Sequence, residues 1–140
     1  MILKVKKLNP DAIIPKYAHF DDAGFDLFAI EDTLIKVGER KVIKTGLAME
    51  IPTGYVGLVW DKSGISVKEG IKTLAGVVDS TYRGEALAAV INLSNKDYEF
   101  KKGHKVAQMI IQKKETVEFE EVSELDNTVR GDSGFGSTGK

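Results

Sequence analysis

Apolar and polar residues alternate with a period of two over residues 1–8, a first strand, and short apolar and β-branched runs bounded by turn formers predict further strands at residues 25–30, 33–37, 41–51, 55–61, 73–78, 86–93, 98–100, 105–112 and 116–122. Asn9-Pro10, Gly38-Glu39, Pro52-Thr53-Gly54, Ser63-Gly64 and Asn95-Lys96 punctuate these runs as turns. No stretch sustains a 3.6-residue period, and the best helical candidate, 66–70, offers a turn or two. Many short strands with frequent turns predict an all-β fold over residues 1–125, a distorted jelly roll or β-barrel-like domain with little helix. The pattern stops at Asp126. Residues 126–140 hold four glycines, two serines and two threonines, with only Val129 and Phe135 as sizeable apolar groups. Such a segment cannot offset its own ordering entropy, so it is expected to be a flexible C-terminal lid that orders when something binds it.

One acid breaks the strand pattern. Residues 76–85 read Gly-Val-Val-Asp-Ser-Thr-Tyr-Arg-Gly-Glu, with Asp79 between apolar strand residues and a set of turn formers. The run 79–84 is predicted as the turn of a hairpin joining 73–78 to 86–93. An aspartate there has an ordinary use, because its side chain can bond the backbone two residues on and open the turn. It also has a chemical use, as a carboxylate presented at a loop tip.

Composition narrows the partners. At 140 residues the chain can bury a core without staples. Twenty basic against twenty-one acidic side chains leave a net charge of −1, so no global basic field points to nucleic acid or an anionic membrane. The absence of cysteine excludes disulfides and thiolate sites, and suits a reducing compartment. The N-terminal Met-Ile-Leu-Lys-Val-Lys-Lys lacks the apolar block of a signal peptide, and no run approaches the length of a membrane span. A soluble, cytoplasmic protein is expected.

Further polar clusters sit beside glycines. Asp61-Lys62-Ser63-Gly64 places an ammonium, a hydroxyl and a close-approach glycine at a strand end. Gly103-His104-Lys105-Val106-Ala107-Gln108 offers a second set of donors, and Ala23-Gly24-Phe25-Asp26-Leu27 a second carboxylate. Each alone is ordinary turn chemistry. In the tail, Arg130, the glycine-separated amides and the hydroxyls of Ser137 and Thr138 are phosphate donors, and Phe135 gives a face on which a base could stack. The tail also spells three misleading words. Residues 134–140 fit the letters of a P-loop, but no strand precedes them and no helix follows. Gly-Asp-Ser-Gly lacks a held histidine partner, and Arg-Gly-Asp lacks a secreted context. Jointly, phosphate donors and two separated acids suit a Mg²⁺-bound polyphosphate and an attacking water.

These five clusters, in this order, resemble the motifs of the trimeric dUTPases, which hydrolyse dUTP to dUMP and pyrophosphate. Residues 23–27 look like the first motif, 62–64 the second, 76–85 the third, 103–110 the fourth and 130–139 the fifth. The resemblance implies Asp79 as the general base for the water that attacks the α-phosphorus. It implies Asp26 as a holder of Mg²⁺ through a bound water, and Tyr82 as the residue lying against the deoxyribose. Backbone near Gly76, Val77, Val78 and Leu87 would read the uracil edge. Lys62, Ser63, Gly64 and Gln108 would hold phosphates, Arg130 the γ-phosphate, Phe135 the uracil face, and Gly136, Ser137 and Thr138 would close over the triphosphate. It implies a homotrimer with shared sites, the tail coming from a neighbour. Two positions depart from the family: Lys62 stands where arginine is general, and Asp61 where proline or a small residue is common. A point charge replaces a bidentate fork at Lys62.

Two rival functions share the implied fold. A dCTP deaminase would need a glutamate on the strand after the hairpin, yet residues 86–95 contain no acid and Asn92 falls about where it would stand. An inactive nucleotide-binding module would have no use for Asp79.

Overall fold

The structure, a computed structural model, describes residues 1–132. Eleven strands and one short helix account for the described regular structure, in the order β1 (Lys4–Lys7), β2 (Phe25–Phe28), β3 (Thr33–Ile35), β4 (Arg40–Ile43), β5 (Leu47–Glu50), β6 (Tyr55–Asp61), α1 (Ser63–Glu69), β7 (Ile71–Leu74), β8 (Val77–Val78), β9 (Ala88–Asn92), β10 (Tyr98–Phe100) and β11 (Lys105–Lys113). All pairings are antiparallel. They form a four-stranded sheet β2-β11-β6-β8, a three-stranded sheet β4-β9-β7, and two ribbons, β1-β5 and β10-β3. The all-β expectation is met. No helix among the described residues is long and apolar enough to cross a membrane.

The sheets close over one core because the alternating apolar positions point inward. Phe25 and Leu27 of β2, Val59 of β6, Ile71 of β7, Ala88 and Val90 of β9, Phe100 of β10 and Ala107 and Met109 of β11 are all buried in it. Asn92 is fully buried and spends its polar atoms locally: Nδ2 donates to Ile35 O and Lys96 O, while Oδ1 accepts from the Ser94 amide and hydroxyl. It is a structural residue, with nothing left for proton transfer.

Four sequence expectations change. The run 41–51 is two strands, because the chain changes sheets at a corner: β4 pairs with β9 and β5 with β1. There Thr45 Oγ1 donates to Ala86 O at 2.6 Å and the Gly46 amide to Glu85 Oε1 at 2.6 Å. The run 73–78 is likewise split, into β7 and β8, by positive φ at Ala75 (56°) and Gly76 (114°). The helix begins at Ser63 rather than 66 and ends on Gly70, which caps it in the left-handed region. Residues 116–122 form no strand: Val117, Phe119 and Val122 are exposed, and no described edge pairs with them. Alternation needs a partner strand before it becomes structure.

Candidate functional site

The hairpin is real at its base and open at its tip. β7 pairs with β9 from Ile71↔Asn92 to Leu74↔Ala89. Above that the outgoing arm swings to β6, with Val77 opposite Leu58 and Val78 opposite Gly57. The return arm is held by the other side of the molecule, where Glu85 bridges Ala48 and the Ala86 amide donates to Leu47 O at 2.7 Å. Splaying the arms leaves a cleft of about 210 Å³ lined by Gly76, Val77, Val78, Asp79, Tyr82, Glu85 and Leu87. Six of these seven are candidates on sequence grounds. Glu85 stands in the sequence only as the end of the motif, and nothing local marks its service to Gly46.

The turn at the tip is closed by one backbone bond and by the Arg83 side chain. The Tyr82 amide donates to Asp79 O at 3.1 Å, and Arg83 Nη1 donates to Ser80 O at 2.6 Å and Tyr82 O at 2.9 Å. The exposed Asp79 carboxylate takes part in no hydrogen bond or ion pair among the described residues. The turn-opening role therefore belongs to its carbonyl, and the carboxylate faces the cleft uncommitted. Tyr82 Oη donates to Glu85 O at 3.2 Å, which holds the half-exposed ring along the cleft wall.

The second group gathers where β2, β11 and β6 end together. Gln108 of β11 lies opposite Asp26 of β2 and Trp60 of β6. Asp26 is only 6% exposed and accepts from Lys62 Nζ on Oδ1 and Lys105 Nζ on Oδ2, each at 2.7 Å. Burial pushes its carboxyl up, but the bonds from Lys105 and Lys62 and their charges outweigh it, holding the group below its ordinary value of 3.8. Lys105 belongs to a cluster evident in the sequence, but its pairing with Asp26 is not; a cation on a strand end carries no mark of which acid it meets. Gln108 Nε2 donates to Asp61 O at 2.9 Å, fixing the amide. Lys62 is the helix N-cap by position but makes no side-chain cap bond, because an ammonium has no acceptor for the backbone N–H groups; it pairs with Asp26 instead. Ser63 and Gly64, the first two helical residues, are exposed, and a Cβ at Gly64 would meet nothing within 4 Å. Packing within this chain does not require a glycine there.

The two groups do not converge within one chain. Val78, next to Asp79, faces Gly57, four residues and so roughly 13 Å along β6 from Asp61. Arg130 is exposed, within a turn closed by the Gly131 amide donating to Thr128. Phe135, Gly136, Ser137 and Thr138 lie outside the described residues. Among the described residues no cluster of three or more His, Asp or Glu side chains could hold a metal. Both Asp26 oxygens already bear an ammonium, so this carboxylate is not part of a protein-built metal cage.

The fold is an all-β domain with an uncommitted carboxylate in a splayed hairpin and a separate acid–lysine–amide cluster. The dUTPase family profile matches residues 10–139, and the chain belongs to the dUTPase family. The deoxyuridine 5′-triphosphate nucleotidohydrolase of Nautilia profundicola is 51% identical over the full length of both chains. That of Corynebacterium glutamicum is 46% identical, over 99% of this chain and 95% of its own. The dUTPase of Staphylococcus bacteriophage 80alpha, solved with dUpNHpp, is 31% identical with a TM-score of 0.93 and covers 99% of each chain. A mutant dUTPase from phage phi11 of S. aureus, 29% identical with a TM-score of 0.85 over 91% of this chain and all of its own, is described with a coordinated structural Mg(II) ion.

Proposed function

We propose that this member of the dUTPase family hydrolyses dUTP to dUMP and pyrophosphate, with Asp79 as general base. The observation that carries the proposal is the Asp79 carboxylate, uncommitted at the tip of a hairpin whose cleft is lined by Gly76, Val77, Val78, Tyr82, Glu85 and Leu87. Asp79 takes a proton from water as its oxygen bonds the α-phosphorus; the bond from that phosphorus to the bridging oxygen breaks, and pyrophosphate leaves. Such a displacement needs positioning and charge neutralisation more than covalent catalysis.

The hairpin selects the substrate. Backbone at Gly76, Val77, Val78 and Leu87 reads the uracil edge, and cytosine is rejected because donor and acceptor at its 4-position are exchanged, leaving buried groups unpaired. Tyr82, braced on Glu85, lies against the deoxyribose and leaves no room for a 2′-hydroxyl. Lys62, Ser63, Gly64 and Gln108 hold phosphates, with Arg130 on the γ-phosphate. From the tail, Phe135 covers uracil and Gly136, Ser137 and Thr138 close over the triphosphate. Mg²⁺, when bound, neutralises phosphate charge; Asp26, kept ionised by its two lysines, would hold its hydration shell.

The site is completed by self-association as a homotrimer. Two features support this: the separation of the hairpin from the phosphate corner along β6, and the exposed apolar face of residues 116–122. Pyrophosphate release assayed on dUTP, dCTP, dTTP and UTP tests the activity. Release restricted to dUTP, and abolished by Asp79→Asn and by truncation after Val129, is expected; release from none of the four refutes it. Mixing Asp79→Asn with the truncated chain tests the sharing. Activity regained on mixing and refolding together is expected, and none regained refutes it.

A further inference from the structure

Asp61 has no part in the proposed chemistry, yet it is the most heavily engaged acid near the phosphate corner. It ends β6, opposite Ala107 of β11. Its carboxylate reaches across to the next sheet: Oδ2 accepts from Lys72 Nζ at 2.5 Å, and Oδ1 accepts from the Thr73 amide at 2.7 Å and from the Thr73 hydroxyl. Its carbonyl accepts from Gln108 Nε2 at 2.9 Å. Burial pushes its carboxyl up, but the bonds from Lys72 and Thr73 outweigh it and keep the group ionised.

The covalent path between these partners gives the contacts their meaning. From Asp61 the chain runs through Lys62, Ser63, Gly64 and the rest of α1, turns at Gly70, and enters β7 at Ile71. Asp61 bound to Lys72 and Thr73 therefore closes a ring, with Lys62, Ser63 and Gly64 on its first turn. β6 belongs to the four-stranded sheet and β7 to the three-stranded one, and the ring is pinned where the two meet. The helix itself is lightly held: it has no fully buried residue and no side-chain N-cap, only Ile65 packed part-buried against the core and Glu69 paired with Lys96 at 2.9 Å. The carboxylate of Asp61 ties the loop shut beside Lys62, whose ammonium reaches Asp26. A flexible point charge depends on the placement of its main chain more than a rigid fork does.

We propose that Asp61 is a positioning residue for the phosphate-holding corner, acting through Lys62 and Gln108 without touching substrate. The proposal rests on the dUTPase reading for the nature of the ligand. Its signature is selective: groups that hold phosphate should feel its loss, and the hairpin that holds the nucleoside should not.

The test is Asp61→Ala. Its KM for dUTP and the inhibition constant of pyrophosphate are expected to rise about tenfold, the equivalent of losing one or two well-formed hydrogen bonds. kcat and the inhibition constant of deoxyuridine are expected to stay within about twofold, since the cleft at Asp79 is untouched. Asp61→Asn, which keeps an acceptor for Thr73, is expected to recover most of the pyrophosphate affinity. Equal weakening of deoxyuridine and pyrophosphate would show general loosening of the fold and overturn the proposal, as would an unchanged pyrophosphate constant. If Asp61→Ala does not fold, Thr73→Val removes the hydroxyl contact alone. About threefold weaker pyrophosphate binding is then expected, and unchanged binding overturns the proposal. If the wild type hydrolyses no nucleotide, the dUTPase reading fails by itself; calorimetric pyrophosphate binding, compared between wild type and Asp61→Ala, still decides the role of Asp61.

Discussion

Gly76→Ala isolates the joint on which the hairpin turns. Gly76 has φ 114°, well outside the region that L-residues adopt, and a Cβ there would lie 2.6 Å from Val59 O and 3.2 Å from Val59 Cβ. The Val59 amide donates to Gly76 O at 2.7 Å, so the neighbour that would have to move is the strand that anchors the outgoing arm. Backbone strain of about 2 kcal/mol and a weakened buried hydrogen bond of about 1 kcal/mol sum to about 3 kcal/mol. For a chain of this size that lowers Tm by about 10 °C. Gly38→Ala is the matched control: its φ is 73° and nothing lies within 4 Å of its Cβ. It should cost about 1 kcal/mol and about 3 °C. Both are read by thermal denaturation at one fixed protein concentration, because the proposed self-association would make Tm concentration-dependent. Gly76→Ala should also raise KM for dUTP, since Gly76 lines the cleft. A fall in Tm no larger than that of Gly38→Ala refutes the reasoning, because the Val59 contact would then be contributing nothing.

Asp79→Asn should lower kcat at least a hundredfold while leaving Tm within about 1 °C, because the carboxylate makes no bond that the turn depends on; a large fall in Tm would assign it a structural role. Lys62→Arg should leave kcat/KM unchanged or higher, as a guanidinium can keep Asp26 and add a second donor toward phosphate; a large loss, measured by pyrophosphate release, would show that the lysine is specifically required. Acid titration of stability checks the buried acid. The Asp26 carboxyl lies below its unfolded value of 3.8, so its contribution is complete above that value and lost as pH falls through the folded one. Asp26→Asn should therefore flatten the stability curve below about pH 4, and an unchanged acid limb in urea titrations would refute the pairing with Lys62 and Lys105.

What was legible in the sequence was whatever depends on neighbours a few residues away. β2, β6, β9 and β11 were legible as strands, but Tyr55–Asp61 and Ala88–Asn92 carry apolar residues on both faces, so which face is buried was not. Gly70, directly after the helix, marked its end through its left-handed conformation. The start was hidden, since Lys62 lacks the side-chain oxygen of a capping residue and is committed to Asp26 instead. The hairpin motif was readable as a unit, but not that its two arms diverge to different sheets; Val77 and Val78 alternate no differently whether they face β9 or β6.

Residues 116–122 show why a pattern and a structure can disagree without either being in error. Thr-Val-Glu-Phe-Glu-Glu-Val alternates as a half-buried strand should, yet Phe119 is 95% exposed. A strand is stabilised by a ladder and a covered face, both of which must come from elsewhere in sequence or from another chain. The same holds for the site. Asp79 and Lys62 lie seventeen positions apart in the sequence, yet the hairpin and the phosphate corner sit at different points along β6, each complete as local structure and neither sufficient for a nucleoside triphosphate. The proposed self-association would account for both the exposed alternation in the arm and the divided site, a second copy supplying the missing edge and the missing half. Dilution then gives a coupled outcome. A Phe119→Trp, Trp60→Phe double variant carries its single indole in the arm, so its fluorescence reports whether the arm is covered. Specific activity and the buried-indole emission of that variant should be lost over the same concentration range. Loss of activity at concentrations where the emission is unchanged would separate the arm from the site.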